Sequence, residues 1–235
     1  MKTILIQGAM ESEIEPYLNH FKNLKKQVIN GYLFYVSEIK DAKIVIAQTG
    51  VSLMNATTST VIAMYNFNPD IVINQGVCGA HLESLKIGDV IVGKTAVYIN
   101  KFKSEVKGVG EGSDALSWTP MQNGSCRLDA TKELIEIAKT LSGANGFYFD
   151  VIGTGDLFSR EADRINYIRK LHGQISEDME TVAAYKVCSE FHKQFIGFRV
   201  VSNNEFKQEL GTSKENRKYC MDILNKVVIE FIEKL

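Results

Sequence analysis

Ser176-Glu177-Asp178-Met179-Glu180-Thr181 sets three carboxylates within four positions, directly before the apolar run Val182, Ala183, Ala184, Tyr185, Val187, Cys188. Acids at the start of a helix are ordinary. They sit against the positive end of its dipole and accept from its free N–H groups. Two other stretches give the cluster a second meaning. Gly8-Ala9-Met10-Glu11-Ser12-Glu13 follows the first apolar strand, and Arg199-Val200-Val201-Ser202-Asn203-Asn204 ends a late one. Polar clusters far apart in sequence, each at a strand end or helix start, predict a site at the carboxyl edge of an α/β sheet.

Outward from these clusters, strands and helices alternate. Lys2 to Ala9 reads as a buried strand and Glu11 to Phe21 as a helix. Tyr32–Ile39 and Lys43–Gln48 read as a hairpin pair, and Leu53–Tyr65 as a helix. Pro69-Asp70 leads the strand Ile71-Val72-Ile73-Asn74, which is expected to stop at a Gly76-Val77-Cys78-Gly79 turn whose glycines let backbone N–H groups face a ligand. Ile87–Val92 reads as a strand, Asp129–Leu141 as a helix, Phe147–Ile152 as a strand and Glu161–Leu171 as a helix. Phe195–Val201 is the last strand and Ser213–Leu235 a long amphipathic closing helix. Asn100–Gly124 fits neither period, yet carries Phe102, Trp118 and Pro120; a long loop of this kind is usually functional. The alternation predicts one α/β domain over 1–235 with a parallel or mixed sheet.

Composition narrows the function. The 235 residues are 45% apolar, enough for one sizeable core. A formal net charge of −1 does not favour a polyanion, so no nucleic-acid partner is expected. No run is long enough for a membrane span, and the first apolar run, Ile4-Leu5-Ile6, is too short for a signal peptide. Cys78, Cys126, Cys188 and Cys220 have no paired spacing and read as thiols of a cytoplasmic protein. His20, His81, His172 and His192 lack metal-ligand spacing, so neither metal nor cofactor is expected. Gly153-Thr154-Gly155 lacks the third glycine of a dinucleotide fingerprint, since Phe158 holds that place, and no phosphate-binding GxxxxGK[ST] loop occurs. Cys78 sits among glycines, but no histidine is placed by sequence to activate it, and a buried structural cysteine is the plainer reading.

Several short motifs, weak singly but specific in order and spacing, run over nearly the whole chain. They are Gly8–Glu13, Thr49-Gly50-Val51, Pro69–Asn74 with Gly76 and Gly79, Leu85–Val92, Gly155-Asp156 with Phe158, Met179-Glu180, and Arg199 with Ser202. On these the chain resembles the 5′-methylthioadenosine/S-adenosylhomocysteine nucleosidases within the purine nucleoside phosphorylase and nucleosidase family. The resemblance implies a three-layer α/β/α sandwich around a twisted mixed sheet, a homodimer and a small-molecule nucleoside substrate. It also implies that Glu13 activates the attacking water, that Met179 and Glu180 hold the ribose with Arg199 beside them, and that Phe158 stacks on the base. By the same resemblance the backbone at Ser159 meets the base edge, and Val51 lines the pocket. Cys78 and Gly79 fall at the base and Val77 in the pocket wall.

The departures from that pattern are Asp178 for a glutamate, Val77-Cys78 for a Ser-Ala pair, and Ser52, Leu53 and Asn55 for a small-basic pattern. Above all, Asn203 stands where the nucleosidases place the aspartate that protonates the purine, while Ser202, which positions that group, is kept. An asparagine offers a donor and an acceptor but no acid proton. It suits a 6-oxopurine, or a 7-deazaguanine nucleoside such as queuosine, with Asp178 or Glu177 accepting from N1–H or a 2-amino group. The phosphorylases bind phosphate with early arginines, whereas the first arginine here is Arg127, so water is the expected nucleophile. A binding protein without catalysis is the alternative that loss of the acid leaves open. Arg160 and Lys207 are candidates for a 5′-phosphate, an exposed surface role being the plainer reading of each.

Overall fold

The computed structural model describes residues 1–39, 42–121, 126–207 and 214–235. The side chains of Ala115, Glu205, Lys214 and Glu215 are outside that description. In order, the chain forms β1 (Lys2–Gly8), α1 (Glu11–His20), β2 (Lys25–Ile29), β3 (Tyr32–Ile39), β4 (Ala42–Gln48), α2 (Leu53–Phe67), β5 (Ile71–Ala80) and β6 (Val90–Tyr98). There follow β7 (Phe102–Lys103), β8 (Thr119–Pro120), β9 (Arg127–Asp129), α3 (Lys132–Ala138), β10 (Tyr148–Thr154), α4 (Ala162–His172), β11 (Ser176–Asp178), α5 (Thr181–Glu190), β12 (Gln194–Asn204) and α6 (Lys214–Glu233).

Alternation along the central strands builds three layers. In β1, Ile4 and Ile6 point to one face and Leu5 to the other, as a strand period of two requires. The first face continues through Ile71, Ile73, Ile196 and Phe198 and is covered by α1, α3 and α6. The second continues through Val45, Val72 and Phe195 and is covered by α2 and α5. The result is the expected α/β/α sandwich.

The sheet runs β2-β3-β4-β1-β5-β12-β6-β10-β11, with β9 added to β6. β1, β4, β5 and β12 are mutually parallel neighbours, and β2-β3-β4 is an antiparallel meander. One closure was not foreseen. β11 pairs parallel with β10 and antiparallel with β5, so β5, β12, β6, β10 and β11 form a closed circuit. That circuit bends the cluster Ser176–Asp178 back over β5 and beside the end of β12.

Several boundaries differ from expectation. β5 does not turn at Gly76 but continues to Ala80, and its glycines lie inside a strand. The strand expected at Ile87–Val92 is Val90–Tyr98, because Gly88 at φ +95° and the Asp89 cap on Lys86 N make 86–89 a turn. Asp129 is not at a helix start. It closes β9, opposite Thr95, whose hydroxyl donates to its carboxylate at 2.7 Å, and α3 starts only at Lys132. β2, unforeseen, is an edge strand with two lysines and four exposed residues, a composition that discourages further pairing. Ser213 and Gly124, taken as element limits, lie outside the described residues.

The 100–121 stretch folds onto its own chain. Arg164 of α4 is buried between the rings of Phe102, at 5.2 Å, and Trp118, at 5.1 Å. Tyr167 donates to Trp118 O at 2.8 Å. No described helix is long and apolar enough to cross a membrane.

Candidate active site

Each of the three polar clusters delivers polar side chains to one cavity of about 210 Å³. It is lined by Glu13, Val51, Val77, Cys78, Gly79, Phe158, Asp178, Met179, Glu180 and Asn203 among the residues expected from sequence. The lining also includes Met10, Leu157, Glu177 and Arg217, to which the sequence reading gave no lining role beyond a possible acceptor at Glu177.

Glu13 reaches the cavity from the first turn of α1. Its Oε2 accepts from Ala9 N at 2.7 Å and Met10 N at 3.1 Å, and its Oε1 accepts from Val77 N at 3.0 Å on β5. The carboxylate can lie this close to β5 only because residue 76 is glycine: a Cβ there would fall 2.5 Å from Oε1. Burial raises the Glu13 pKa, while the Val77 N–H and the Arg199 charge oppose that rise.

Asp178, Glu180 and Arg199 form the floor. Arg199 is 1% exposed, and its Nε donates to Asp178 Oδ2 at 2.6 Å. Its Nη1 donates to Phe198 O at 2.8 Å and Asn74 O at 3.1 Å, and Nη2 donates to Asn74 Oδ1. Asp178 also accepts from Thr154 Oγ1 at 2.6 Å, from Thr181 N at 3.3 Å and from Thr181 Oγ1. Arg199 therefore does not reach the cavity, contrary to a direct ribose contact; it fixes Asp178, and Asp178 caps α5. Glu180, at the N-cap of α5, accepts from Ser52 N at 3.2 Å. Burial first, then the adjacent Asp178 charge, lift its carboxyl to about 8 against the pull of Arg199.

The far wall carries Asn203, Cys78, Gly79 and Glu177. Ser202 Oγ lies 3.0 Å from Asn203 Oδ1, to which it donates, and 3.2 Å from Cys78 O. The amide Nδ2 then lies over Gly79, where a Cβ would come within 3.1 Å of it. Cys78 is buried and its thiol is pushed well above the ordinary range by burial, which suits a wall and not a nucleophile. Glu177 accepts from Ser159 N at 2.7 Å and Ser159 Oγ at 2.6 Å, and His81 Nε2 lies 3.4 Å from its Oε2. Ser159 thus stays behind the wall, its N–H engaged by Glu177, while Phe158 beside it stands at the mouth, 52% exposed. Arg160 and Lys207 do not line the cavity.

His81 was read only as a histidine without metal-ligand spacing, because one histidine just past a strand has no motif around it. Arg217 left a fainter signal, a charge on the inward stripe of the closing helix. Among the described residues no cluster of His, Cys, Asp and Glu is arranged to hold a metal ion.

Residues 3–234 match the phosphorylase superfamily, and the chain belongs to that family. Within it, similarity runs to nucleosidases. A 5′-methylthioadenosine/S-adenosylhomocysteine nucleosidase of Geobacillus thermodenitrificans is 29% identical over 231 residues, covering 92% of each chain. The Neisseria meningitidis nucleosidase of the same name, solved with methylthio-immucillin-A, is 28% identical and superposes with a TM-score of 0.83 over 100% of both chains. A futalosine hydrolase mutant of Helicobacter pylori shares the fold at a TM-score of 0.85 and 20% identity, also over 100% of both chains.

Proposed function

We propose that this protein is a nucleoside N-ribosyl hydrolase that releases a purine-type base. The observation that carries the reading is the pair Glu13 and Glu180, buried carboxylates from α1 and α5 that line one cavity. Hydrolysis breaks the C1′–N bond, forms a C1′–O bond to water, sends the bonding electrons to the base and a water proton to a general base. Glu13, with three backbone N–H groups holding its carboxylate, takes that proton. Glu180 and Met179 hold the ribose, and Glu180 interacts most strongly as positive charge builds on the sugar. Phe158 covers the base and Val51 closes the wall.

Base choice rests on Asn203. Asn203 lines the cavity with Oδ1 accepting from Ser202, so the donor end of its amide is the N–H₂. Such a donor stabilises charge on the O6 of a 6-oxopurine or 7-deazaguanine, queuosine-like base, and cannot supply the acid proton that makes adenine a good leaving group. A second reading, 5′-methylthioadenosine/S-adenosylhomocysteine hydrolysis, is favoured by the names of the 27–29% identical relatives. The deciding assay is base release, with and without phosphate, from methylthioadenosine, inosine, guanosine and queuosine, on native protein and Asn203→Asp. The native protein is expected to prefer the 6-oxo bases without phosphate, and Asn203→Asp to move it toward adenine. Preference for methylthioadenosine in the native protein refutes the base assignment. A phosphate requirement refutes hydrolysis, and no release at all points to a binding protein.

A homodimer is part of the proposal. Phe102 and Trp118 pack on Arg164 of the same chain, and the exposed apolar side chains of Met54 and Val106 support an interface. A monomer in light scattering at micromolar concentration refutes it.

A further inference from the structure

On α6 the inward stripe runs Cys220, Met221, Leu224, Val228 and Phe231, all buried in the core. One turn earlier the same stripe reaches Arg217, three and four residues before the first two. An apolar residue would continue the pattern. The arginine is instead half-buried and lines the cavity. No carboxylate of the described residues lies within ion-pair distance of it, although Glu13, Glu177, Asp178 and Glu180 line the same cavity. Arg199 is the cation that opposes the rise in pKa at both Glu13 and Glu180.

A guanidinium drawn partly out of water gains from an anionic partner that accepts two parallel hydrogen bonds. Among the described residues no carboxylate fills that place. The ribose hydroxyls fall to Glu180, and the base to the Asn203, Gly79 and Phe158 wall. What remains of a nucleoside for Arg217 is its 5′ end. We propose that Arg217 is a specificity residue for an anionic 5′ substituent, a carboxylate or a phosphate, and that the substrate is a 5′-modified nucleoside carrying such a group. This deepens the nucleosidase reading and rests on it for the placement of the 5′ end.

The test uses pairs matched in base and different in 5′ charge: adenosine with adenosine-5′-carboxylate, and guanosine with guanosine 5′-monophosphate. The first pair reads a carboxylate, the second a phosphate. In at least one pair the anionic member is expected to have the higher kcat/KM. In Arg217→Gln the anionic-to-neutral ratio falls between about 10- and 100-fold, the range for hydrogen bonds to a charged group. Arg217→Lys keeps part of it. Equilibrium binding of the same pairs to Glu13→Gln protein reads the ratio without turnover. If native protein hydrolyses none of the four, the nucleosidase reading fails, and the binding ratio still decides on Arg217. A native ratio at or below one in both pairs, or a ratio unmoved by Arg217→Gln, overturns the proposal.

Discussion

Gly76→Ala separates the position of the Glu13 carboxylate from its chemistry. Gly76 lies inside β5 without a left-handed φ, so alanine fits its backbone. The added Cβ would sit 2.5 Å from Glu13 Oε1, 3.0 Å from Cδ and 3.2 Å from Oε2. Reaching an ordinary contact of 3.4 Å moves Oε1 by 3.4 − 2.5 = 0.9 Å. The carboxylate yields, being the far end of a side chain, and moves away from β5. Its 3.0 Å bond from Val77 N then stretches beyond hydrogen-bonding range. Loss of that bond costs about 1–3 kcal/mol, offset by about 0.4–1 kcal/mol from the stiffer unfolded chain. A net loss of about 1–2 kcal/mol lowers Tm by roughly 2–8 °C for a chain of this size. Displacing a catalytic group by nearly this much costs kcat roughly 10²-fold. The assay is base release in parallel with thermal unfolding. Gly93→Ala is the control, since its Cβ meets Ile152 Cδ1 at 2.7 Å in the core, away from the cavity. It should lose stability while each folded molecule keeps its turnover. A kcat within threefold of native in Gly76→Ala refutes the claim that Glu13 must sit where Gly76 lets it.

Glu180→Gln should lower kcat more than it raises KM, because its contact strengthens as the sugar gains charge; steady-state kinetics showing only a KM effect would make it a ground-state contact. Arg199→Met leaves Asp178 buried and unpaired, for a loss of about 3–5 kcal/mol in denaturant unfolding, and Asp178→Asn in the same chain should restore part of it. The third concerns pH. Glu180 holds its proton more tightly folded than unfolded, 4.5 rising to about 8, so the folded state binds more protons between those values and its stability falls as pH rises through them. Thermal melts from pH 6.5 to 8.5, above the range where His172 opposes the trend, should show a steeper loss for native protein than for Glu180→Gln; equal slopes would remove Glu180 as the source.

What the sequence disclosed follows from which interactions are local. The layers were legible because Ile4, Leu5 and Ile6 alternate between faces, and the hairpin of β3 and β4 because both strands alternate or run apolar and are adjacent. The strand run through Gly76 and Gly79 was not legible. Glycine next to a strand usually means a turn, and here it means room for side chains arriving from elsewhere, Glu13 at one position and Asn203 at the other. Asp129 looked like a helix start for an equally local reason, and its partner Thr95 lies 34 residues away. Arg217 and His81 were missed because their meaning depends on β5, β11 and α6 converging, which the closed strand circuit brings about.

The acidic cluster at 177–180 shows why the ordinary and the functional readings of one motif need not compete. Asp178 does what a first-turn acid usually does, accepting from Thr181 N at the start of α5, and its other contacts are Arg199 and Thr154. Glu177 turns the opposite way and clasps Ser159 through N–H and hydroxyl, which sets the position of Phe158 at the mouth. That leaves Glu180, bonded only through Ser52 N among these contacts and lifted to about 8 by burial and by Asp178. A carboxyl raised by its neighbours regains its charge most readily when positive charge develops beside it. Asp178, held by its own structural partners, therefore helps create the condition that makes Glu180 responsive to the transition state. Removing that charge, as in Asp178→Asn, alters the Glu180 site without touching the residue itself.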